Sequence, residues 1–206
     1  MIRKRIYFIL LTMVMACTVM TSCSEDDGVE DEFADWQLRN DSYFNNLTDS
    51  IQKLIDGGRT DWKRIRTWSK GEGDFLSNVD YIIVHVEENA PASETASPMF
   101  TDSVAVHYQG RLIPSANNPK GLIFDTSYLD PFDKDVAVTK TFSAGGVVDG
   151  FSTALQHMRR GDHWTVYIPY QLGYGSRESS TSSIPAYSSL IFDIRLKDFW
   201  SKKAEE

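Results

Sequence analysis

The sequence predicts an α+β domain, a curved antiparallel β-sheet wrapped on one short helix, preceded by a small N-terminal helical prefix. Three observations lead there. From Tyr81 onward, short runs rich in β-branched and aromatic residues recur between breaks bearing Gly, Pro and Ser, as strands do. Among those runs a single stretch, Phe151, Leu155 and Met158, places its apolar residues on one helical face. Ahead of Tyr81 the apolar period is helical. Strands in series with one helix fit a sheet packed on that helix, not alternating βαβ units.

In the prefix, Trp36, Tyr43, Phe44, Leu47, Ile51, Leu54 and Ile55 recur at three- and four-residue spacing, and Gly57-Gly58 ends the run. Trp62, Ile65 and Trp68 keep a three-residue spacing that predicts a second, short helix before Gly71 and Gly73. The first strand expected is residues 81–86, broken by the segment from Pro91 to Pro98. Residues 104–108 alternate, which puts Val104, Val106 and Tyr108 on one face. Further strands are expected over residues 122–125, 136–142, 164–168 and 190–196. Asp149 suits the cap of the single helix and Gly161 its stop. Arg177 begins a Ser-rich loop, and no internal repeat is present.

The chain of 206 residues is 41% hydrophobic and 12% aromatic, enough for a sizeable core and against global disorder. Its first 22 residues stand apart. Arg3, Lys4 and Arg5 precede an apolar stretch from Ile6 to Met20 that is too short to span a bilayer comfortably, the pattern of a secretory signal. Met20-Thr21-Ser22-Cys23 then places small residues before a cysteine and an acidic run after it. This resembles a bacterial lipobox, in which Cys23 becomes the acylated N-terminus. A buried thiol, or an ordinary signal peptide cut nearby, is the plainer alternative. Cys17 is a rival, but it leaves a shorter apolar core and is followed by more apolar residues.

Both cysteines lie in this segment, so the mature domain is expected to hold neither an internal disulfide nor a cysteine metal site. Glu25, Asp26, Asp27, Glu30, Asp31, Glu32 and Asp35 follow Cys23 with no base among them, as a solvated tether would. The stretch also resembles the acidic segment that marks surface-exposed lipoproteins in some Gram-negative bacteria. The expected organisation is thus a signal peptide (1–22), an acidic tether (23–35), a helical prefix (36–75) and the main domain (79–200). The expected location is the cell envelope, lipid-anchored at the outer membrane and facing the surface. Nucleic acid is excluded as a partner by the acidic balance, since binding it needs a basic footprint.

Other chemistries fare poorly. Gly145, Gly146 and Gly150 lack the Lys-Ser/Thr of a phosphate loop, and His85, His107, His157 and His163 show no paired ligand spacing. Gly173-Tyr174-Gly175-Ser176 is no nucleophile elbow, because its serine is not flanked by glycines.

What the chain does carry is an ordered set of fragments. Val106-His107-Tyr108-Gln109-Gly110-Arg111-Leu112 is followed by Phe124-Asp125-Thr126-Ser127, and then by Gly146-Val147-Val148-Asp149-Gly150-Phe151. Next come Gly161-Asp162, Ile168-Pro169, Leu172-Gly173-Tyr174-Gly175, Ile184-Pro185 and Leu190-Ile191-Phe192-Asp193. In this order they resemble the FKBP family of peptidyl-prolyl cis-trans isomerases, over roughly residues 79–200. One fragment would be weak; the order makes the signal strong.

The resemblance implies an apolar pocket between helix and sheet. Tyr108, Asp125 and Tyr174 would be its catalytic groups, and Phe124, Val147, Val148, Phe151, Ile184 and Phe192 would bind substrate. It implies proline-containing polypeptides and macrolide-type ligands as partners, with no cofactor and no metal. Each residue also has a plain reading. Phe124, Val147 and Phe192 could be simple core, and Asp125 could close a turn with Thr126 or Ser127. The sequence departs from the family pattern at the rim. Phe151 replaces the usual tryptophan, Lys140 stands where an aromatic is common, and Ser183 stands where an aliphatic is common. The hairpin from Ile113 to Gly121, with Pro114 and Pro119, is longer than in minimal members. Two functions follow: an isomerase that assists folding of envelope or surface proteins, or a catalytically weak module that holds proline segments in the same cleft or serves as a chaperone scaffold whose helical prefix recruits a partner.

Overall fold

The structure, a computed structural model, describes residues 31–71, 73–178 and 184–201. Cys17 and Cys23 lie outside the described residues, with the signal peptide and most of the tether, as do Ser183 and most of the Ser-rich loop.

Helix α1 spans Trp36–Asp56, and its buried face is Trp36, Asn40, Phe44, Thr48 and Ile51. The near-fourfold spacing of those positions defines one stripe. Gly57-Gly58 ends the helix: the Gly57 amide still bonds the Lys53 carbonyl, and the Gly58 amide bonds that of Ile55.

Seven strands follow: β1 (Trp62–Arg66), β2 (Tyr81–Glu88), β3 (Ser103–Leu112), β4 (Ile123–Thr126), β5 (Lys140–Ser143), β6 (His163–Ile168) and β7 (Leu190–Trp200). Helix α2 (Asp149–His157) lies between β5 and β6. All pairings are antiparallel, in the order β1-β2-β6-β7-β3-β4, with β5 also on β3. The long strand β3 therefore has two partners on its far side. β5 covers its first half from Ser103 to Val106, and β4 covers Gln109 to Arg111. Tyr108 falls between them, and there Ser127 takes over: its Oγ accepts from the Tyr108 amide at 2.9 Å, and its own amide donates to the Tyr108 carbonyl.

The expected α+β fold is present, with α2 on the sheet. Phe151, Ala154, Leu155 and Met158 of α2 share one core with Val104, Val106, Tyr108, Trp164, Val166, Ile82 and Val84. Phe44 and Ile51 of α1 pack instead on Ile83, with Trp62 and Tyr167 at their side. Ile82 and Val84 alternate with Ile83 along β2, so the two helices cover opposite faces of the sheet. Burying each such side chain contributes about 1.5–3 kcal/mol.

Four expectations need correction. The segment from Trp62 is a strand, not a helix, and it extends the sheet past β2, with Trp62 opposite His85 and Arg66 opposite Tyr81. Its three-residue spacing was the weaker signal. Trp62 lies against the His85 ring at 4.4 Å and Arg64 over the Tyr81 ring at 3.9 Å, contacts available only across the ladder. The strand expected from Val136 pairs only from Lys140, and Val136 and Val138 are exposed in the loop before it. Asp149 is the first helical residue, while Val148 holds the N-cap position without a side-chain bond. Asp149 there still complements the helix dipole. The helix stops at Met158, which is extended, and Gly161 serves the turn that leads to β6.

Candidate active-site cleft

Between α2 and the sheet lies a cleft of about 450 Å³. Its floor is aromatic. Phe151, buried on the first turn of α2, meets the Phe192 ring edge to face at 4.8 Å and that of Tyr108 at 6.2 Å. Phe124 stands over Phe192 at 5.5 Å, and Phe142 closes the other side against Tyr108 at 5.4 Å. Edge-to-face packing suits the ring quadrupoles and holds each ring in one orientation.

Gly110 makes this nest possible. It lies opposite Phe192 on β7 and Asp125 on β4. A Cβ at this position would lie 2.5 Å from the Phe124 ring and 2.6 Å from that of Phe192. Without a side chain there, both rings close over the strand.

The polar wall begins at Tyr108, whose hydroxyl donates to Asp125 Oδ2 at 2.5 Å. Burial, then the bond to Asp125, pushes the phenol pKa well above its ordinary value, so Tyr108 stays protonated and acts as a donor. Tyr174 lies across the opening, 41% exposed, in the turn after the 3₁₀ segment Tyr170–Leu172. Its phenol is raised too, by burial first and by the nearby Asp125 second. Val147 and Val148 form the lip where the chain enters α2. Among the described residues the Val148 amide has no hydrogen-bond partner, which leaves it free to donate into the cleft.

Of the residues singled out from sequence, Tyr108, Phe124, Asp125, Val147, Val148, Phe151, Tyr174 and Phe192 all line this one cleft. Ile184 does not. It is buried in the main core and lies outside the lining. Phe142 and Gly146 line the cleft and were not singled out as site residues. Phe142 alternates with the exposed Thr141 and Ser143 along β5, so strand period alone could have pointed to it. Among the described residues no group of three or more His, Cys, Asp or Glu is placed to hold a metal ion.

A cleft of this make on a sheet of this order defines a class. The family model described as FKBP-type peptidyl-prolyl cis-trans isomerase matches residues 94–197, and the chain belongs to that family. Among its relatives is the macrophage infectivity potentiator of Trypanosoma cruzi, 37% identical over 107 residues, 52% of this chain and 48% of that one. The FKBP-type 22 kDa peptidyl-prolyl cis-trans isomerase of Escherichia coli is 37% identical over 105 residues, 50% of this chain and 44% of that one. The FKBP-type isomerase FkpA of the same species is 27% identical over 186 residues, 83% of this chain and 62% of its own. The chain thus spans about half the length of the first two relatives.

Proposed function

We propose that the protein is an active peptidyl-prolyl cis-trans isomerase of a bacterial envelope, tethered through a lipid on Cys23, which assists folding of proline-containing envelope or surface proteins. The observation that carries the proposal is the Tyr108–Asp125 pair set into the edge of an aromatic cleft.

Rotation about an X–Pro bond faces a barrier of about 18–20 kcal/mol, because the twisted amide loses its resonance. No nucleophile or metal is needed to lower it. Water favours the planar, charge-separated amide, so transfer into the dry nest of Phe124, Phe151 and Phe192 favours the twisted form by comparison. Donors that fit the twisted geometry add binding in the transition state alone. The Val148 amide and the Tyr174 hydroxyl take the substrate carbonyls in this scheme. Asp125, ordered by Tyr108, keeps the polar wall fixed. Phe151 in place of the family's tryptophan leaves a base with no indole N–H, which bears on macrolide-type ligands more than on proline.

A protease-free isomerisation assay on proline tetrapeptides tests the reading. Tyr174→Phe keeps the ring and removes a hydrogen bond worth about 0.5–1.5 kcal/mol. kcat/KM should fall by up to about tenfold. Lys140, exposed at the rim, favours the weak binding module as the second reading. Binding without acceleration would select it. Anchoring has its own test: mass spectrometry should find an acylated Cys23 as the mature N-terminus, and Cys23→Ala should abolish it while Cys17→Ala does not. A free terminus beyond residue 23 would rule the anchor out.

A further inference from the structure

Beside the cleft, three large apolar side chains are left in solvent: Trp68 is 44% exposed, Met99 68% and Phe100 40%. Single exposed apolar residues are ordinary on any protein. These are not scattered. The Trp68 and Phe100 rings pack together at 4.6 Å, and Phe100 lies close against Gly145, where a Cβ would be 2.4 Å from its ring. The next residue, Gly146, lines the cleft. Aromatic surface therefore runs from Trp68 across Phe100 to the cleft wall with one backbone residue between.

The backbone beneath this surface is tied down. The Trp68 amide donates to Thr153 Oγ1 of α2 at 3.2 Å, and the preceding Thr67, buried, bonds the Asp80 carbonyl through its own amide. Asp102, also buried, accepts from the Met99 amide at 2.9 Å, and its carbonyl accepts from the Ala144 amide at 2.8 Å. The 99–102 turn is thereby locked to the segment that carries Gly145. Rings presented on fixed backbone lose little freedom on binding. Met99 beside them adds an adaptable contact.

We infer that Trp68 and Phe100, with Met99, form a second subsite for the same polypeptide whose proline occupies the cleft, and that it takes a large aromatic or aliphatic side chain flanking that proline. A chain leaving the cleft past Gly146 comes onto the shelf within a few extended residues, since Gly145 alone separates Phe100 from the cleft wall. This rests on the isomerase reading for the cleft and adds the substrate class: unfolded polypeptide with an apolar residue near proline, not short proline peptides in general. The strand β1 that the prefix contributes places Trp68, so the shelf depends on a part of the chain outside the matched residues 94–197.

The test compares wild type with Trp68→Ser/Phe100→Ser on three substrates. One is a proline tetrapeptide. The others are twelve-residue peptides with a central proline, one with Phe placed two to five residues on either side and one with Ser there. Wild type should turn over the Phe peptide about three- to tenfold better in kcat/KM than the Ser peptide, the range that one aromatic contact contributes. The double variant should lose that preference and keep its tetrapeptide rate and melting temperature. Trp68→Phe/Phe100→Leu should restore the preference. Equal treatment of the Phe and Ser peptides by wild type, or an undiminished preference in the double variant, overturns the inference. If wild type accelerates none of the three, the isomerase reading falls, and anisotropy of labelled peptides then judges the shelf by the same ratio in Kd.

Discussion

Replacing Asn40 by alanine should loosen the junction between the prefix helix and the sheet at a defined cost. Asn40 is fully buried on α1. Its Nδ2 donates to the Trp36 carbonyl at 2.7 Å, and its Oδ1 accepts from the Ser189 amide at 2.8 Å. Ser189 immediately precedes β7, the strand that carries Phe192. One helical turn away, the Trp36 indole donates to Ser188 Oγ at 2.8 Å. The Trp36 carbonyl keeps its helical partner after the substitution, but the Ser189 amide is left buried without one. A stranded buried donor costs about 1–3 kcal/mol, and the vacated volume adds to it, so a loss of about 2–3 kcal/mol is expected. For a domain of this length that lowers Tm by about 4–12 °C. Urea unfolding should show the loss in the midpoint with an unchanged m-value, and the Ser189 amide should exchange faster with deuterium. Asn40→Asp keeps the acceptor but buries a charge and should cost more at neutral pH. A change below about 0.5 kcal/mol with unaltered Ser189 protection would refute the account of how α1 is docked.

Gly110→Ala should push the Phe124 and Phe192 rings apart, at about 1–3 kcal/mol of overpacking strain, and weaken peptide binding with it. Asp125→Leu should lower kcat/KM more than Tyr174→Phe does, because it leaves the buried Tyr108 hydroxyl without its acceptor. Behind the sheet, burial would raise the Asp193 carboxyl. The hydrogen bonds to His163 and Tyr128, with Arg195 nearby, outweigh that and hold it below its ordinary value. Its contribution is therefore complete above about pH 4 and lost as pH falls through the lowered folded value. Asp193→Asn should flatten that acid limb of the urea midpoint against pH.

The cleft was more legible in the sequence than the rest of the fold. Tyr108, Asp125 and Phe192 are distant along the chain, yet each sits in a short fragment whose order is diagnostic, so their meeting could be read without geometry. Ile184 comes from the same kind of fragment, but an aliphatic side chain suits a core as well as a wall, and it is buried in the main core outside the cleft lining. Strand β1 was misread because its fate depends on the open edge of β2, which no local period reports. The docking of α1 was equally hidden. Asn40 and Thr48 sit within its buried stripe, and only the position of Ser189 explains why an amide belongs there. Trp68 carries only the spacing of a short helix in the sequence, and the contact of Phe100 with Gly145 is what brings the two rings to the cleft.

The central claim is that this cleft speeds rotation and does not merely hold proline. Exchange NMR on a proline tetrapeptide with a catalytic amount of the protein measures that rotation directly. Uncatalysed exchange takes about 10–100 s at 25 °C. The account predicts cis and trans signals that interconvert far faster, at a rate proportional to protein concentration. Peptide resonances that shift on binding while exchange stays at the uncatalysed rate would contradict it.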